Sequence, residues 1–280
     1  MVSSEAVPLA KTGGLADVVG SLPVALQAVG DEAAVVIPRY RSVSLEGATK
    51  VWENYRVWIH GSFYRVDFWE KVIRGVRYFL ADCPPLFDRD GIYGDSRGDF
   101  GDNAIRFAVL SHAALGVARH LFRPNIFHCH DWQAGLVPLY LKFMFPGDPT
   151  FFGAKTLFTI HNIGYQGYFP HSQLWHIGLD DRFWNPGAVE HHGGGSLMKA
   201  GIVWADEIST VSPTHAREIQ TAEYGFGMEG VLRANSGHLI GILNGCDYAE
   251  WNPETDKHIA AHFSADDLEG KWECKKDLLQ

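Results

Sequence analysis

Residues 125–144 read NIFHCHDWQAGLVPLYLKFM. Residues 125–129 (NIFHC) form a short apolar run of strand character. His128, His130 and Asp131 put polar groups at its end, and residues 132–144 continue with apolar positions at helical spacing. A strand that hands polar side chains to a turn before a helix is half of a crossover unit. The same grammar recurs outward in both directions. Residues 33–38 (AAVVIP), 156–160 (TLFTI), 207–211 (EISTV) and 238–243 (HLIGIL) read as buried strands, while 15–29, 103–121 and 213–223 read as helices. Strands alternating with helices predict an α/β fold with a mainly parallel sheet and helices on both faces. Ligands of such sheets bind beyond the carboxyl ends of the strands.

Residues 50–82 break the rhythm. Val57, Ile59, Phe63, Val66, Phe68, Val76 and Phe79 fall in short runs with turns at Gly61 and Arg74-Gly75, which predicts an antiparallel excursion of two or three strands. Residues 84–102 (PPLFDRDGIYGDSRGDFGD) are rich in Pro, Gly and Asp and predict a long functional loop. Ser212-Pro213 predicts an N-cap with proline at the first helical position. Ser264-Ala265-Asp266-Asp267 predicts a capping box opening a last helix that runs to Gln280.

Composition narrows the function. Of 280 residues, 24 are Lys or Arg and 33 are Asp or Glu, a net charge of −9. That balance argues against nucleic-acid binding, which needs a basic stripe. A hydrophobic content of 46% excludes disorder. No apolar run approaches the roughly 20 residues of a membrane span, and residues 1–14 lack the basic and apolar regions of a secretory signal. Cys83, Cys129, Cys246 and Cys274 form no C-x-x-C pair, so free thiols in a reducing compartment are expected. These readings point to the cytoplasm, without a membrane or nucleic-acid partner.

Lys11-Thr12-Gly13-Gly14-Leu15 precedes the helix at 15–29. Paired glycines let a ligand approach the backbone, the helix N-terminus offers unpaired N–H groups, and Lys11 adds a cation, a combination suited to a diphosphate. The lysine precedes the glycines, so this is not the Walker loop. A tight turn with a solvated lysine is the plainer alternative. The spacing Gly225, Gly227, Gly230 satisfies G-x-G-x-x-G but follows a helix rather than a strand, and reads as a loop. Polar residues end four strands: Glu5, the cluster 128–131, His161-Asn162 and Asn244. Asp131 alone can be a helix cap, but four such ends predict a cleft at one rim. His128 and His130 share a strand face, yet no clustered ligand pattern accompanies them, so no metal is assigned. No G-x-S-x-G elbow is present for a hydrolase.

Taken together, the motifs resemble one family. Ser4-Glu5-Ala6-Val7-Pro8, KTGGLADVVGSLP (11–23), IPRY (37–40), HCHDWQAGLVPLYL (128–141), TIHNIGYQG (159–167), LMKAGI (197–202), VSPTHAREI (211–219), YGFGMEGVL (224–232) and LNGCDYAEWNPETD (243–256) are similar, in order, to the N-terminal half of bacterial glycogen synthases and plant starch synthases. Cys129, Cys246 and the glycine run 193–195 are mild departures. The resemblance implies one Rossmann-like lobe of a two-lobe GT-B fold. The lobe is expected over 1–250, followed by a linker and helix (251–280) leading to a C-terminal lobe absent from this sequence. The first strand, at residues 1–3, looks trimmed.

The implied reaction moves glucose from ADP-glucose to the non-reducing end of an α-1,4-glucan with retention. ADP-glucose is a substrate, and neither cofactor nor metal is expected. In similar enzymes the lysine and second glycine of KTGGL contact the ADP-sugar, which carries over to Lys11 and Gly14, with Gly13 beside them. His161 matches a histidine at the reacting carbon. Asp131, Trp132, Asn162 and Asn244 match positions that hold the glucosyl unit, and Tyr93 matches a tyrosine near the sugar; core packing is the alternative for Trp132 and Tyr93. The family residues that grip the diphosphate from the other lobe lie outside this sequence, so the chain alone is expected to be inactive. The rival is a non-catalytic glucan-binding lobe using aromatics such as Trp52, Trp58 and Trp69. A plant origin would move the compartment to the plastid. Lys11→Ala should weaken use of ADP-glucose in the completed enzyme while leaving the melting temperature nearly unchanged, since an exposed loop lysine contributes little packing.

Overall fold

The computed structural model of the chain describes residues 1–279. Two compact units are present, Met1–Leu243 and Asn244–Gln280. In the first, α1 (Gly14–Ala28) starts at the glycine pair and leads to β1 (Ala34–Pro38). The excursion is a three-stranded meander of β2 (Thr49–Ile59), β3 (Ser62–Ile73) and β4 (Val76–Asp82), and β4 returns to pair parallel with β1. The stretch expected as a long loop contains a helical turn, α2 (Pro84–Phe87), and a minimal hairpin of β5 (Gly94–Asp95) and β6 (Gly98–Asp99). The 18-residue α3 (Asn103–His120) follows and is buried around most of its circumference.

The second half of the sheet is built from β7 (Ile126–His130), β8 (Lys155–Ile160), β12 (Glu207–Thr210) and β13 (Leu239–Gly241), in the order β13-β12-β8-β7 and all parallel. Between them run α4 (Leu136–Phe143), a small sheet of β9 (Tyr168–Phe169), β10 (Glu190–His191) and β11 (Gly194–Ser196), then α5 (Leu197–Trp204), α6 (Pro213–Glu218) and α7 (Glu229–Ala234). In the glycine run 193–195, Gly193 takes φ +84 and Gly195 has a packing reason, since a Cβ there would lie 2.2 Å from the Phe169 ring. Val2 bridges to Val36 of β1 and to Cys129 of β7, both in parallel sense, and so joins this half to β1-β4-β3-β2. All five residues of β1 are buried, with α1 and α3 packed against the strand. The register sets His130 opposite Thr159 and Ile160 opposite Thr210, which brings the carboxyl ends of β7, β8 and β12 to one rim.

Several elements differ from the sequence expectation. The helix at 132–144 divides into a 3-10 turn, Trp132–Ala134, and α4. Pro138 explains the break: in a continuous helix its ring would meet the carbonyl of Ala134, whereas in the first turn of α4 it is tolerated. Residues 213–223 are helical only to Glu218, where Thr221 Oγ1 donates to the Glu218 carbonyl at 2.7 Å. The strand at 238–243 shortens to β13. Ser212 does cap α6, its Oγ accepting from His215 N–H at 2.8 Å. In the second unit, Ser264 closes a local turn, accepting from the N–H groups of Asp266 and Asp267 at 3.2 and 3.1 Å. That turn competes with helix, and α8 (Glu269–Leu278) begins five residues beyond the serine with Asp267 Oδ1 accepting from Glu269 N–H. Gln280, where the helix was expected to end, lies outside the described residues.

Gly135 sits where α4 meets α5: a Cβ there would lie 2.0 Å from the Leu197 carbonyl oxygen. Gly135→Ala should therefore destabilise the first unit by about 1–3 kcal/mol through overpacking, read as a lower midpoint in urea unfolding.

Candidate active site

Three strand ends and one loop build the rim. Glu5 follows the Val2 bridge and is 2% exposed. Four donors converge on its carboxylate. Oε2 accepts from the N–H of Thr12 and, at 3.3 Å, of Gly13; Oε1 accepts from Thr12 Oγ1 at 2.7 Å and from the Tyr93 hydroxyl. The Tyr93 oxygen also lies 2.7 Å from Ser4 Oγ. A buried carboxylate without hydrogen bonds would be costly, and these bonds fix the shape of the 11–14 loop.

The loop itself is exposed. Gly13 is extended (φ −153, ψ −170), Gly14 opens α1, and a Cβ on either would meet nothing within 4 Å. Neither φ nor crowding within the fold demands glycine here. The Gly13 N–H is engaged by Glu5, and Gly14 begins the open N-terminus of the helix. Lys11 Nζ pairs with Asp17 at 2.7 Å.

Asp131 ends β7 with φ +55, is 7% exposed, and does not cap the turn that follows. Its Oδ1 instead reaches across to β8, accepting from His161 N–H at 2.7 Å and Asn162 N–H at 3.4 Å. Burial pushes its carboxyl up to about 7, with the two N–H bonds pulling down and the Glu5 charge pushing up. His161 is half-buried, and its Nε2 lies 3.0 Å from Nδ1 of the fully buried His130. The rings of His130 and His128 approach at 4.0 Å, and His128 Nε2 meets Thr159 Oγ1 at 2.6 Å. The shared strand face of the two histidines is thus used for ring contact and hydrogen bonds. Burial lowers His161 to about 4 and drives His130 well below the usual imidazole range, so both are neutral near pH 7.

Trp132 packs inside, edge-on to Phe107 at 4.9 Å and 6.1 Å from the Tyr93 ring. Gly167, at φ +58, lies over it; a Cβ there would be 2.4 Å from the indole. Tyr93 is held in place from below. Fully buried Arg106 donates to the carbonyls of Leu86 and Ile92 at 2.7 and 2.9 Å and to Asn103 Oδ1 at 2.7 Å, while Asn103 donates to the Tyr93 carbonyl. Arg89 pairs with Asp102 and Arg41 with Asp88 and Asp90 at the outer edge of this loop. Glu5 thus holds Thr12, Gly13 and Tyr93, with Lys11 and Gly14 on the same loop, and Asp131 holds His161 and Asn162, with Trp132 beside Tyr93. Asn244 belongs to the second unit. Glu5 is the organising residue that the motif reading noted only as a strand-end polar group; an acid just before a glycine-paired loop was the available signal.

A mainly parallel α/β sheet with a glycine-opened helix and buried carboxylates at one rim defines a Rossmann-like lobe, a class of fold whose ligands bind beyond the strand ends. The sequence matches the family model for the starch synthase catalytic domain over residues 1–234, and the chain belongs to that family. It is 47% identical over 279 residues to a glycogen synthase of Koribacter versatilis and 40% identical to one of Syntrophotalea carbinolica. Each match covers 99% of this chain and 58% of the relative. Among solved structures it superposes, with a TM-score of 0.87 and 33% identity, on the catalytic domain of starch synthase IV from Arabidopsis thaliana bound to ADP and acarbose, covering 99% of this chain and 57% of that one. The fold is accordingly the Rossmann-like lobe of the GT-B architecture, and the chain spans less than two thirds of the length of these relatives.

The raised Asp131 carboxyl makes stability fall as pH rises. Its contribution is fully present below the ordinary aspartate value of 3.8 and is lost as pH climbs through about 7. Asp131→Asn keeps an acceptor oxygen for the two N–H groups and removes the charge. In thermal scans the variant should match the parent near pH 4 and exceed it above pH 7, by on the order of 3 kcal/mol.

Proposed function

We propose that the chain supplies the N-terminal lobe of a retaining glucosyltransferase that moves glucose from ADP-glucose to the non-reducing end of an α-1,4-glucan. The observation that carries this reading is the pair Gly13–Gly14: two exposed glycines that the fold does not require, at the start of a 15-residue helix, on the same rim as His161 and Asn162. Such glycines suit a ligand that must come close to the backbone. The solved relative bound to ADP and acarbose supports the same substrate classes.

In such a transfer the sugar ring gains positive charge and the departing diphosphate gains negative charge. Rate then comes from groups already in place for both. The open end of α1 from Gly14 onward and Lys11 would receive the diphosphate. A phosphate there competes with Asp17 for the Lys11 ammonium, which stands 2.7 Å from that carboxylate. At the sugar, His161 acts as a neutral group, because burial holds its imidazole uncharged. Its backbone carbonyl is the candidate partner for the developing cation. The Asn162 N–H accepted by Asp131 fixes that peptide plane, and in a trans peptide the His161 carbonyl then points away from the buried carboxylate. Asp131 therefore acts here as a positioning residue. Asn162 and Trp132 complete the sugar side, and the proposal assigns no metal or cofactor. Free thiols at buried Cys83 and Cys129 fit the cytoplasm as the working compartment.

The test is transfer of labelled glucose to glycogen from ADP-glucose and, in parallel, UDP-glucose. It is run with the chain and with the chain completed by the remaining length of the Koribacter relative. Label from ADP-glucose in the completed protein is expected; none from either donor sinks the reading. Gly14→Ala should abolish most of that transfer while leaving the melting temperature equal or higher, since alanine favours the first helical turn by up to about 1 kcal/mol.

A further inference from the structure

Beside the His161–Asn162 turn stands a residue that the motif analysis left unused. Gly225 to Met228 form a tight turn, with Met228 N–H donating to the Gly225 carbonyl at 2.8 Å. Both central residues have positive φ, Phe226 at +51 and Gly227 at +85, as in a type I′ turn. Positions of that kind favour Gly, Asn or Asp, and a phenylalanine there is strained. The strain gains no core packing, because Phe226 is 64% exposed.

The strained backbone is nonetheless held firmly. Gln166, 4% exposed, donates from Nε2 to the Phe226 carbonyl at 3.0 Å and to the Ile163 carbonyl at 3.0 Å, stapling this turn to the segment after β8. Its Oε1 accepts from the Tyr168 hydroxyl at 2.6 Å. The Phe226 ring edge comes to 3.8 Å of where a Gly164 Cβ would stand, so the ring lies alongside Asn162–Gly164. Asn162 spends its Oδ1 on Gly164 N–H at 2.9 Å, and the residue, which carries two amide N–H donors, is exposed. An aromatic face next to amide donors is the pairing a pyranose needs, with C–H groups on its flat side and hydroxyls on its edge.

We propose that Phe226 is an acceptor-side stacking platform, held by Gln166, for a glucose unit of the α-1,4-glucan. This rests on the glucan acceptor of the proposed function and names the residue that receives it. Strain combined with exposure at a site rim marks a functional position rather than a packing one.

The probe is maltoheptaose at about 10 mM, a concentration that reveals millimolar binding, with saturation transferred from the protein to the sugar and read by NMR. The wild-type chain should transfer to the sugar protons. Phe226→Asn, whose side chain suits the turn, should weaken transfer roughly five- to tenfold at an equal or higher melting temperature. Phe226→Trp should restore it. Absence of transfer in the wild type overturns the proposal, as does undiminished transfer in the asparagine variant. A loss of transfer matched by a lower melting temperature also overturns it, by marking the ring as a packing element. No nucleotide sugar is present, so a failure here leaves the ADP-glucose reading standing, and a failed labelling assay leaves this one standing.

Discussion

The two halves of the sheet meet on the backbone of three residues. Met1 carbonyl accepts from Val36 N–H at 2.9 Å, and Ser3 N–H donates back to the Val36 carbonyl at 3.1 Å. On the other side Val2 N–H donates to the His128 carbonyl at 2.8 Å, and His130 N–H donates to the Val2 carbonyl at 3.0 Å. A strand buried on both sides must have its polar backbone paired, and these bonds leave no gap between β1 and β7. The joint also decides where Glu5 emerges: two residues beyond it, between the glycine loop and Tyr93. Both the continuity of the sheet and the geometry of the rim therefore depend on the same short segment.

The rim is organised by acids that spend their oxygens on the protein itself. Glu5 gathers the 11–14 loop and Tyr93, and Asp131 gathers the turn after β8. Their partners are N–H and O–H dipoles, and at Asp131 these do not offset burial, while the charge on Glu5 raises its carboxyl further. At Asp131 this preorganisation costs folding stability at neutral pH and returns a backbone held in one arrangement.

Most of the fold was legible because the buried strands are apolar runs and the helices keep their spacing. The meander was legible too, from Val57, Ile59, Val66 and Phe68 alternating with exposed partners. Legibility failed where one residue overruled a pattern. Pro138 split an apparently continuous helix, and the Ser264 turn postponed another. In the site, motif residues were visible as letters, but their tasks were not. That Gly13 gives its N–H to Glu5, that Asp131 reaches across to β8 instead of capping, and that Trp132 is packed beneath Gly167 all depend on contacts between residues 8 to 35 apart in sequence. Phe226 was invisible for a related reason: an aromatic in a glycine-rich stretch carries no sign of its φ.

The loop that carries Tyr93 is fastened in two ways of different character. Its outer edge is tied by the solvent-facing ion pairs Arg41–Asp88 and Arg41–Asp90. Its inner edge is tied by Arg106, whose guanidinium is wholly enclosed and bound to carbonyl and amide oxygens rather than to a carboxylate. Mobile ions screen the first kind of tie and cannot reach the second. Concentrated salt would therefore loosen the margin of the loop while the tyrosine hydroxyl kept its aim on Glu5, so the rim is insulated from swings in osmotic and ionic conditions that its periphery would feel.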